Sequence, residues 1–223
     1  MSINIAIDGP AGAGKSTIAK RLAKELGFIY IDTGAMYRAI GYYFAVNKGI
    51  DLDNEAQVAE ACPTVEVTIA YEKGEQQVFV NGENLSGVIR TEGAGEMASK
   101  VSVYPFVRTK LVESQQKLAQ NEDVIMDGRD IGTVVLPDAQ VKIFLTASSM
   151  TRAKRRYEEL IAKGVECNLD EIEKDIIDRD YRDMHRETSP LKQAEDAVLV
   201  DSSNLDIDGV VAEINRIYQE KVK

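Results

Sequence analysis

Side chains and segments that commonly indicate a metal site, a disulfide framework or a membrane protein are scarce in this sequence of 223 residues. The two cysteines, Cys62 and Cys167, are far apart and lack metal or redox spacing, so reduced thiols in a cytoplasmic protein are the simplest expectation. No apolar run is long enough to span a bilayer. The N-terminus lacks a basic region followed by a long apolar stretch, so the sequence predicts no secretory signal. The one histidine, His185, lies in a charged segment, and we expect it at the surface rather than in catalysis.

Basic residues are outnumbered, since Lys and Arg total 27 while Asp and Glu total 37, for a formal net charge of −10. A chain this acidic is a poor candidate for sequence-independent binding of nucleic acids or anionic membranes. We therefore expect neither as a partner. Any groups that bind phosphate must be concentrated locally, which makes the positions of the arginines informative.

The segment from Gly9 to Ser16 reads Gly-Pro-Ala-Gly-Ala-Gly-Lys-Ser and lies between an apolar run and a helical pattern. This order of strand, glycine-rich loop and helix is typical of a phosphate-binding loop. Gly9 and Gly14 let backbone N–H groups converge on phosphate oxygens, and the start of the helix adds further donors. Lys15 is expected to reach the β- and γ-phosphates, and Ser16 to bind Mg²⁺. The sequence therefore predicts that the protein binds a nucleoside triphosphate.

Apolar segments alternate with helical patterns along the chain, which predicts a parallel sheet covered by helices. Five strands are expected, at about residues 3–8, 28–31, 123–127, 141–145 and 197–200. Residues 64–69 and 77–80 instead alternate as antiparallel strands do, with a turn near Gly74 between them. We therefore predict an α/β fold with an inserted antiparallel hairpin, which forms a small subdomain.

Two predicted helices in the C-terminal third are rich in arginine, and the second begins near Asn168 and ends before Pro190. Such runs are usually solvated faces with ion pairs, but a phosphate-binding loop in the same chain favours contacts with phosphate. Spacings of three to four residues place Arg152, Arg155 and Arg156 on one face of the first helix and Arg179, Asp183 and Arg186 on one face of the second.

Residues 32–38 and 127–133 each follow a predicted strand and combine charged side chains with glycine. In the first segment, Thr33 and Arg38 can bind a phosphate, and Tyr37 offers a flat face to a base. In the second, Asp127 either orients hydrated Mg²⁺ or caps a turn. Segments that follow parallel strands share one rim of a sheet with the phosphate-binding loop, so both are candidates for an acceptor site.

Phosphate-loop proteins divide into switches, motors and metabolite kinases. The chain lacks the Asn/Thr-Lys-x-Asp segment that reads guanine in GTPase switches, and a motor is usually larger. A small-molecule kinase needs a second anion site and cations that close over the phosphates, and the segments above offer both. The alternatives are a kinase for UMP, AMP or a hydroxyl metabolite, and an ATP-gated binding module without an acceptor. The acidic charge disfavours a nucleic-acid kinase.

Together, the loop through Thr17, the segments 32–38 and 127–133, and the stripe from Arg179 to Arg186 resemble bacterial cytidylate kinases nearly from end to end. The resemblance includes the hairpin, which that family carries in its nucleoside-monophosphate-binding subdomain. It implies a P-loop nucleoside monophosphate kinase fold, with a five-stranded parallel sheet and a helical lid. It also implies Mg²⁺-dependent transfer of the ATP γ-phosphoryl group to CMP or dCMP in pyrimidine metabolism, by a protein that is commonly a monomer.

Carried over by position, the resemblance implies an ATP site, a CMP site and a metal site. The ATP-binding residues would be Gly9, Pro10, Ala11, Gly12, Ala13, Gly14, Lys15, Ser16, Thr17, Arg152 and Arg155. The CMP-binding residues would be Thr33, Tyr37, Arg38, Ser99, Arg108, Arg129, Asp130, Arg179, Asp183 and Arg186. The catalytic cations would be Lys15, Arg129 and Arg186, and the metal would be held by Ser16 and, through water, Asp127.

Within the CMP site, the pyrimidine would be read by Ser99, Arg108 and Asp130, and the sugar would be held by Arg179 and Asp183. Cytosine presents an N4 donor beside two acceptors, so Asp130 can accept from N4, whereas uracil would turn a carbonyl toward the carboxylate. The residues alone leave two alternatives open. Asp130 could form an ion pair with Arg129 or Arg108, and Arg108 could lie on a helix surface.

The implied organisation is one kinase domain over residues 1–223. Its core would comprise residues 1–32, 101–148 and 188–223, its monophosphate-binding part residues 33–100 with a β insert at about 62–86, and its lid with flanking helices about 149–187.

Overall fold

The computed structural model describes residues 2–222, and the side chains of all of these except Glu92. The chain divides into two compact units. The first contains the residues up to Tyr30 and from Glu122 onward, and the second contains Ile31–Asn121. The functional division into core, monophosphate-binding part and lid stays a prediction.

A five-stranded parallel sheet, as expected from the alternation of strands and helices, has the strand order β2-β6-β1-β7-β8. The registers place β1 between β6 and β7, with Ile7 opposite both Asp127 and Ile143. Buried side chains dominate the three central strands β1, β6 and β7, as is typical where helices cover both faces of a parallel sheet. The strands are β1 (Asn4–Asp8), β2 (Ile29–Asp32), β6 (Val124–Gly128), β7 (Val141–Thr146) and β8 (Val198–Asp201).

Within residues 2–30 and 122–222, the first unit also contains four α-helices, which include both arginine-rich ones. The first helix buries Ile18 and Leu22 and ends at Gly27, whose φ of 73° is the left-handed conformation typical of a helix end. Asn168 caps the second arginine-rich helix by accepting the N–H groups of Asp170 and Glu171, as its position predicted. These helices are α1 (Lys15–Leu26), α6 (Ser149–Ala162), α7 (Leu169–His185) and α8 (Ile207–Val222).

Among residues 31–121, the second unit packs four α-helices with the predicted antiparallel insert. The turn of the insert is the pair Lys73–Gly74, both with positive φ, and a third strand of two residues, too short to show alternation in the sequence, extends the sheet. The helices are α2 (Thr33–Tyr42), α3 (Glu55–Ala61), α4 (Glu92–Val101) and α5 (Pro105–Ala119), and the strands are β3 (Val67–Glu72), β4 (Glu75–Val80) and β5 (Glu83–Asn84).

Each unit has its own hydrophobic core. In the first, Ile5, Leu22 and Ile214 belong to one cluster, and in the second Met36 and Phe44 belong to another. No helix formed by residues 2–222 is both long enough and apolar enough to cross a membrane.

Candidate active site

The phosphate-binding loop lies between β1 and α1 and depends on glycine at two points. A Cβ on Gly9, where φ is 149°, would lie 1.9 Å from the carbonyl oxygen of Leu145 on β7, which no other residue type could accommodate without displacing a strand. Gly14 adopts the left-handed conformation at the N-cap of α1, with φ at 91°. Gly14 has no side chain that could cap this helix, and the start of a helix offers N–H groups to an anion.

Lys15 is the first residue of α1, and its ammonium group is buried beneath the loop, where Nζ donates to the carbonyl oxygen of Pro10 at 2.8 Å. Burial lowers the pKa of Lys15 to about 7, and Arg129 adds to the effect, while nearby carboxylates such as Asp127 oppose it. A polyanion bound in the loop would favour the charged form of this side chain.

Ser16, Asp127 and Tyr30 form a small polar group at the ends of β6 and β2. The Ser16 hydroxyl donates to Oδ2 of Asp127 at 2.9 Å, and the Tyr30 hydroxyl donates to Oδ1 at 2.8 Å. The fold therefore brings together the two predicted metal-site residues, which are 111 positions apart in the chain. Within residues 2–222, no three carboxylate, cysteine or histidine side chains converge as a ready-made metal cage.

The segment after β6 continues into a π-helical turn, Ile131–Val135. Its first two N–H groups, from Ile131 and Gly132, donate to the two carboxylate oxygens of Asp8 at 2.8 and 2.7 Å. Burial raises the pKa of Asp8 to about 6, although these two N–H groups favour the ionised form. A carboxylate at the end of β1 thus fixes the chain directly after Asp130.

Asp183 on α7 is a buried carboxylate surrounded by arginines. Nε of Arg129 donates to Oδ2 of Asp183 at 2.9 Å, and Nη1 of Arg186 lies 4.0 Å from Oδ1. Burial alone would raise the pKa of Asp183, but the fields of Arg129, Arg179 and Arg186 outweigh burial and hold that pKa below its usual value. Arg186 also lies 3.9 Å from Asp130.

The two arginines predicted for the lid are bound to protein groups. The guanidinium of Arg152 is buried and donates to the carbonyl oxygen of Ala11, in the phosphate-binding loop, at 2.9 Å and to Asp180 on α7 at 2.6 Å. Arg155 donates to the hydroxyl and carbonyl oxygens of Ser202 at 3.2 and 2.7 Å. Arg152 therefore joins α6, α7 and the loop, and Arg155 joins α6 to the segment after β8.

A cleft of about 570 Å³ lies beside the start of α1. It is lined by both polar and apolar groups, in proportions suited to a heterocyclic base next to a phosphate site. The lining includes Thr17, Arg21, Arg155, Ser202, Leu205 and Ile207.

In the second unit, the predicted acceptor segment forms the first turns of α2. Asp32 caps this helix by accepting the N–H of Ala35 at 2.9 Å, and its other oxygen accepts from Arg38 at 2.7 Å. Gln76, on β4 of the insert, accepts the backbone N–H of Asp32 at 2.7 Å and donates to its carbonyl oxygen at 3.1 Å. The insert therefore holds the start of α2, where Thr33 is buried.

Of the residues predicted to contact the nucleoside, Tyr37 and Arg108 lie together in this unit, Ser99 is on α4 of the same unit, and Asp130 belongs to the first unit. The Arg108 guanidinium lies 5.4 Å from the centre of the Tyr37 ring and donates to the carbonyl oxygen of Ser102 at 3.3 Å, close to Ser99. Gly41 lets α2 approach α4, since a Cβ there would lie 2.9 Å from the backbone of Met97. Arg108 is buried, so its predicted alternative position on a helix surface is wrong.

The structure thus assembles the loop, Ser16 and Asp127, and the Arg129–Asp183–Arg186 group in one unit, and Thr33, Tyr37, Arg38, Ser99 and Arg108 in the other. What these residues bind stays a prediction. Sequence reasoning missed Asp8, Gln76 and Asp180. Asp8 follows an apolar strand just as Asp127 does, and that signal could have identified it.

The family model for cytidylate kinase matches residues 5–220. The cytidylate kinase of Ligilactobacillus salivarius (strain UCC118) is 52% identical over 219 residues, which cover 98% of this chain and 97% of the relative. That of Anoxybacillus flavithermus (strain DSM 21510 / WK1) is 48% identical over 221 residues, covering 99% and 98%.

A crystal structure of an uncharacterized protein from Eubacterium ventriosum ATCC 27560 is similar in fold, with a TM-score of 0.53 and 14% identity over 98% of this chain and 99% of that one. The family model spans nearly the whole chain, and relatives that share about half of its residues match it over almost their full length. The chain therefore belongs to the cytidylate kinase family.

Proposed function

We propose that the protein transfers the γ-phosphoryl group of ATP to CMP or dCMP, giving CDP or dCDP, and that it requires Mg²⁺. The observation that carries this proposal is the cationic group beside the phosphate-binding loop. Three arginines (Arg129, Arg179 and Arg186) converge on the buried carboxylate of Asp183 and hold its pKa below the usual value, and Arg186 also lies 3.9 Å from Asp130. An acceptor phosphate is the kind of ligand that such a site attracts.

In this proposal the triphosphate of ATP lies in the loop from Gly9 to Thr17, with Lys15 at its β- and γ-phosphates. The adenine base occupies the cleft lined by Thr17, Arg155 and Leu205. Arg152 and Arg155 contribute to the triphosphate site from α6. Lys15 is held beneath the loop by Pro10, which supports its role as a fixed cation rather than a mobile one.

Ser16 and Asp127 fit a hydrated magnesium ion. Mg²⁺ in phosphoryl-transfer sites is usually held by one or two protein oxygens, substrate phosphates and waters rather than by a full protein cage. The Ser16 hydroxyl and the Asp127 carboxylate are 2.9 Å apart and supply hard oxygen ligands of this type. When bound, the ion would neutralise charge on the transferred phosphoryl group.

Arg129 and Arg186 are assigned to the acceptor phosphate and to the transferred phosphoryl group. The transition state spreads negative charge over the phosphoryl oxygens, so fixed cations stabilise it more than they stabilise the substrates. Asp183 holds Arg129 through a bond of 2.9 Å, which supports this orienting role. Thr33 and Arg38 are assigned to the same acceptor phosphate, and Arg179 and Asp183 to the sugar.

Asp130, Ser99 and Arg108 are assigned to the base. A carboxylate accepts from the N4 amino group of cytosine but opposes the O4 carbonyl of uracil, which predicts a preference for CMP over UMP. Tyr37 lies under the Arg108 guanidinium, which supports a flat contact with the nucleoside at this point.

We also propose that residues 33–100 act as the monophosphate-binding part and residues 149–187 as a lid that closes when CMP is bound, which would keep water from the ATP phosphate. A cytoplasmic monomer in pyrimidine metabolism is the simplest setting. Free thiols at Cys62 and Cys167 support a reducing compartment, and the net charge of −10 argues against nucleic acids and anionic membranes as partners.

The test is diphosphate production from ATP and Mg²⁺ with CMP, dCMP, UMP, AMP and GMP offered separately. We expect fast turnover of CMP and dCMP and much slower turnover of UMP. In Asp130→Asn the CMP-to-UMP ratio of kcat/KM should fall by at least about tenfold, because an amide can face either base. Equal rates for CMP and UMP in the unmodified protein would remove the base-reading role of Asp130. If none of the five is phosphorylated while ATP still binds, the proposal is wrong.

A further inference from the structure

Asp8 is a buried carboxylate that none of the steps proposed above uses. It ends β1, lies directly before Gly9, and is 5% exposed. Both of its oxygens accept backbone N–H groups, from Ile131 at 2.8 Å and from Gly132 at 2.7 Å. A buried carboxylate costs free energy of desolvation, so its presence calls for a compensating role.

The two N–H groups that Asp8 accepts are those at the start of the π-helical turn Ile131–Val135. Such N–H groups have no partner within the turn, and the side chain of the N-cap residue commonly accepts the second or third of them, here that of Gly132 or Thr133. The N-cap residue here is Asp130, a residue type that caps well, yet its side chain makes no capping bond. Its carboxylate lies instead 3.9 Å from Nη2 of Arg186.

We propose that Asp8 is a positioning residue for base selection, because it caps the turn in place of Asp130 and thereby directs the Asp130 carboxylate toward the acceptor base. This inference rests on the base-reading role proposed for Asp130. If Asp8 did not accept these N–H groups, the Asp130 side chain could turn back and accept the N–H of Gly132 as an ordinary N-cap does, and its contact with the base would be lost.

The chemistry of the contact requires a carboxylate. Each of the two N–H groups donates to a different oxygen of Asp8, and only Asp or Glu carries two oxygens without a donor. Asn at position 8 would accept one N–H and turn its own NH₂ toward the other. Glu would add a methylene group to a fully packed position.

Gly132 completes the contact from the other side. A Cβ at this position would lie 3.4 Å from Oδ2 of Asp8 and 3.2 Å from Cδ of Lys142. Lys142 cannot easily move away, because its ammonium group donates to the carbonyl oxygen of Pro137 and to Asp196. A Cβ at position 132 would therefore press on Lys142 and touch the Asp8 carboxylate, so Gly132→Ala offers an independent and milder way to disturb the contact.

The experiment measures kcat and KM for CMP and for UMP in the full-length enzyme, for Asp8→Asn and Gly132→Ala. We expect Asp8→Asn to lower kcat/KM for CMP by about tenfold or more and that for UMP by much less, so that the ratio between them falls by at least about fivefold. Gly132→Ala should lower the same ratio by a smaller factor, and the KM for ATP should change less than about threefold in both.

Asp123→Asn is the matched control. Asp123 also accepts a backbone N–H between the chain segments of β1 and β6, that of Ile3, but it lies at the opposite end of these strands, is exposed, and has no role in the proposed site. Asp123→Asn makes the same change of carboxylate to amide, and it should leave the CMP-to-UMP ratio of kcat/KM unchanged.

The outcomes separate this inference from the proposed function. If Asp130→Asn lowers the CMP-to-UMP ratio of kcat/KM but neither Asp8→Asn nor Gly132→Ala does, the positioning role of Asp8 is wrong, while the base-reading role of Asp130 is supported. If the two variants lower all rates equally, Asp8 has only a structural role and the inference is also wrong. If Asp130→Asn leaves the ratio unchanged, base reading itself fails. Should Asp8→Asn not fold, the ratio measured for Gly132→Ala decides the question.

Discussion

Two short segments that combine charged side chains with glycine, residues 32–38 and 127–133, carry several of the proposed acceptor contacts, and they are held in different ways. Each follows a strand and contains an Asp at the N-cap of a helical turn, Asp32 in one unit and Asp130 in the other. Asp32 caps its own helix and pairs with Arg38. Asp130 does not cap its turn, because Asp8 does so from another strand.

The difference shows how one residue type serves two purposes. The carboxylate of Asp32 is engaged by its own helix and by Arg38, so it builds the structure around Thr33 rather than reading a ligand. Capping by Asp8 instead leaves Asp130 directed at Arg186. The side chains that support the two segments also differ in charge. The buried carboxylate of Asp8 supports the turn at Asp130, and the neutral amide of Gln76 supports the helix start at Asp32.

The largest expected effect separates Arg186, which lies beside Asp130, from Arg38, which pairs with Asp32. Arg186→Ala should lower kcat by about a hundredfold or more and leave ATP binding largely intact, because Arg186 is assigned to charge that develops in the transition state. Arg38→Ala should mainly raise the KM for CMP, by about tenfold, because Arg38 is assigned to ground-state binding of the acceptor phosphate. Steady-state kinetics with both substrates varied measure the two effects. Near-normal kcat in Arg186→Ala would remove that residue from the reacting centre.

The local features of both segments could be predicted from the sequence, because they depend on residues close together in the chain. The strands before Asp32 and Asp127, the glycine-rich loop and the helix cap at Asn168 all follow from patterns within a few residues. The family resemblance then assigned roles to these residues by position, and family membership is confirmed.

The supports of the two segments could not be predicted, because each is a contact between a side chain and a distant backbone. Asp8 is 123 positions from Ile131, and Gln76 is 44 positions from Asp32. Hydrophobic periodicity places a strand and its faces, but it does not show which backbone groups a polar side chain at the strand's end will meet. The register of β1 beside β6, which sets Asp8 opposite Gly128, supplies that information only in the folded chain.

Asp8, the carboxylate that supports the turn at Asp130, should make the stability of the protein depend on pH. Burial raises the pKa of the Asp8 carboxyl from 3.8 to about 6, with Asp130 adding to the rise while the N–H groups of Gly132 and Ile131 and the charge of Lys15 oppose it. The folded state then binds this proton more tightly than the unfolded state, so the contribution of Asp8 to stability is fully present below about pH 4 and is lost as the pH rises through 6.

The size of the pH effect follows from the shift of roughly two units, which corresponds to about 3 kcal/mol. Urea unfolding of the unmodified protein and of Asp8→Asn, measured from pH 4 to pH 7.5, gives the contribution of Asp8 as the difference between their free energies of unfolding. The free energy of unfolding of the unmodified protein, relative to the variant, should fall across this range. A constant difference would show that Asp8 titrates at the same pH in the folded and unfolded chains.

Removing Gln76, the neutral side chain that holds Asp32, should have the smallest effect and gives the sharpest test of how the two segments differ. Gln76→Ala removes two neutral hydrogen bonds to the backbone of Asp32, at 2.7 and 3.1 Å, each worth about 1 kcal/mol or less because water can replace the half-buried amide. Thr33 and Arg38 would then be held less firmly, so the KM for CMP should rise by about two- to fivefold with little change in kcat or in the KM for ATP.

The neighbouring residue on β4 provides the control for Gln76→Ala. Gln77 bonds to Asn84 within the insert, so Gln77→Ala makes the same truncation on the same strand without touching Asp32. If both variants change the KM for CMP equally, the insert acts through its general stability rather than through Gln76. We expect Gln76 to affect how tightly CMP binds and Asp8 to affect which base is selected. If Gln76→Ala lowers the CMP-to-UMP ratio of kcat/KM as strongly as Asp8→Asn does, the two residues are not distinct in function.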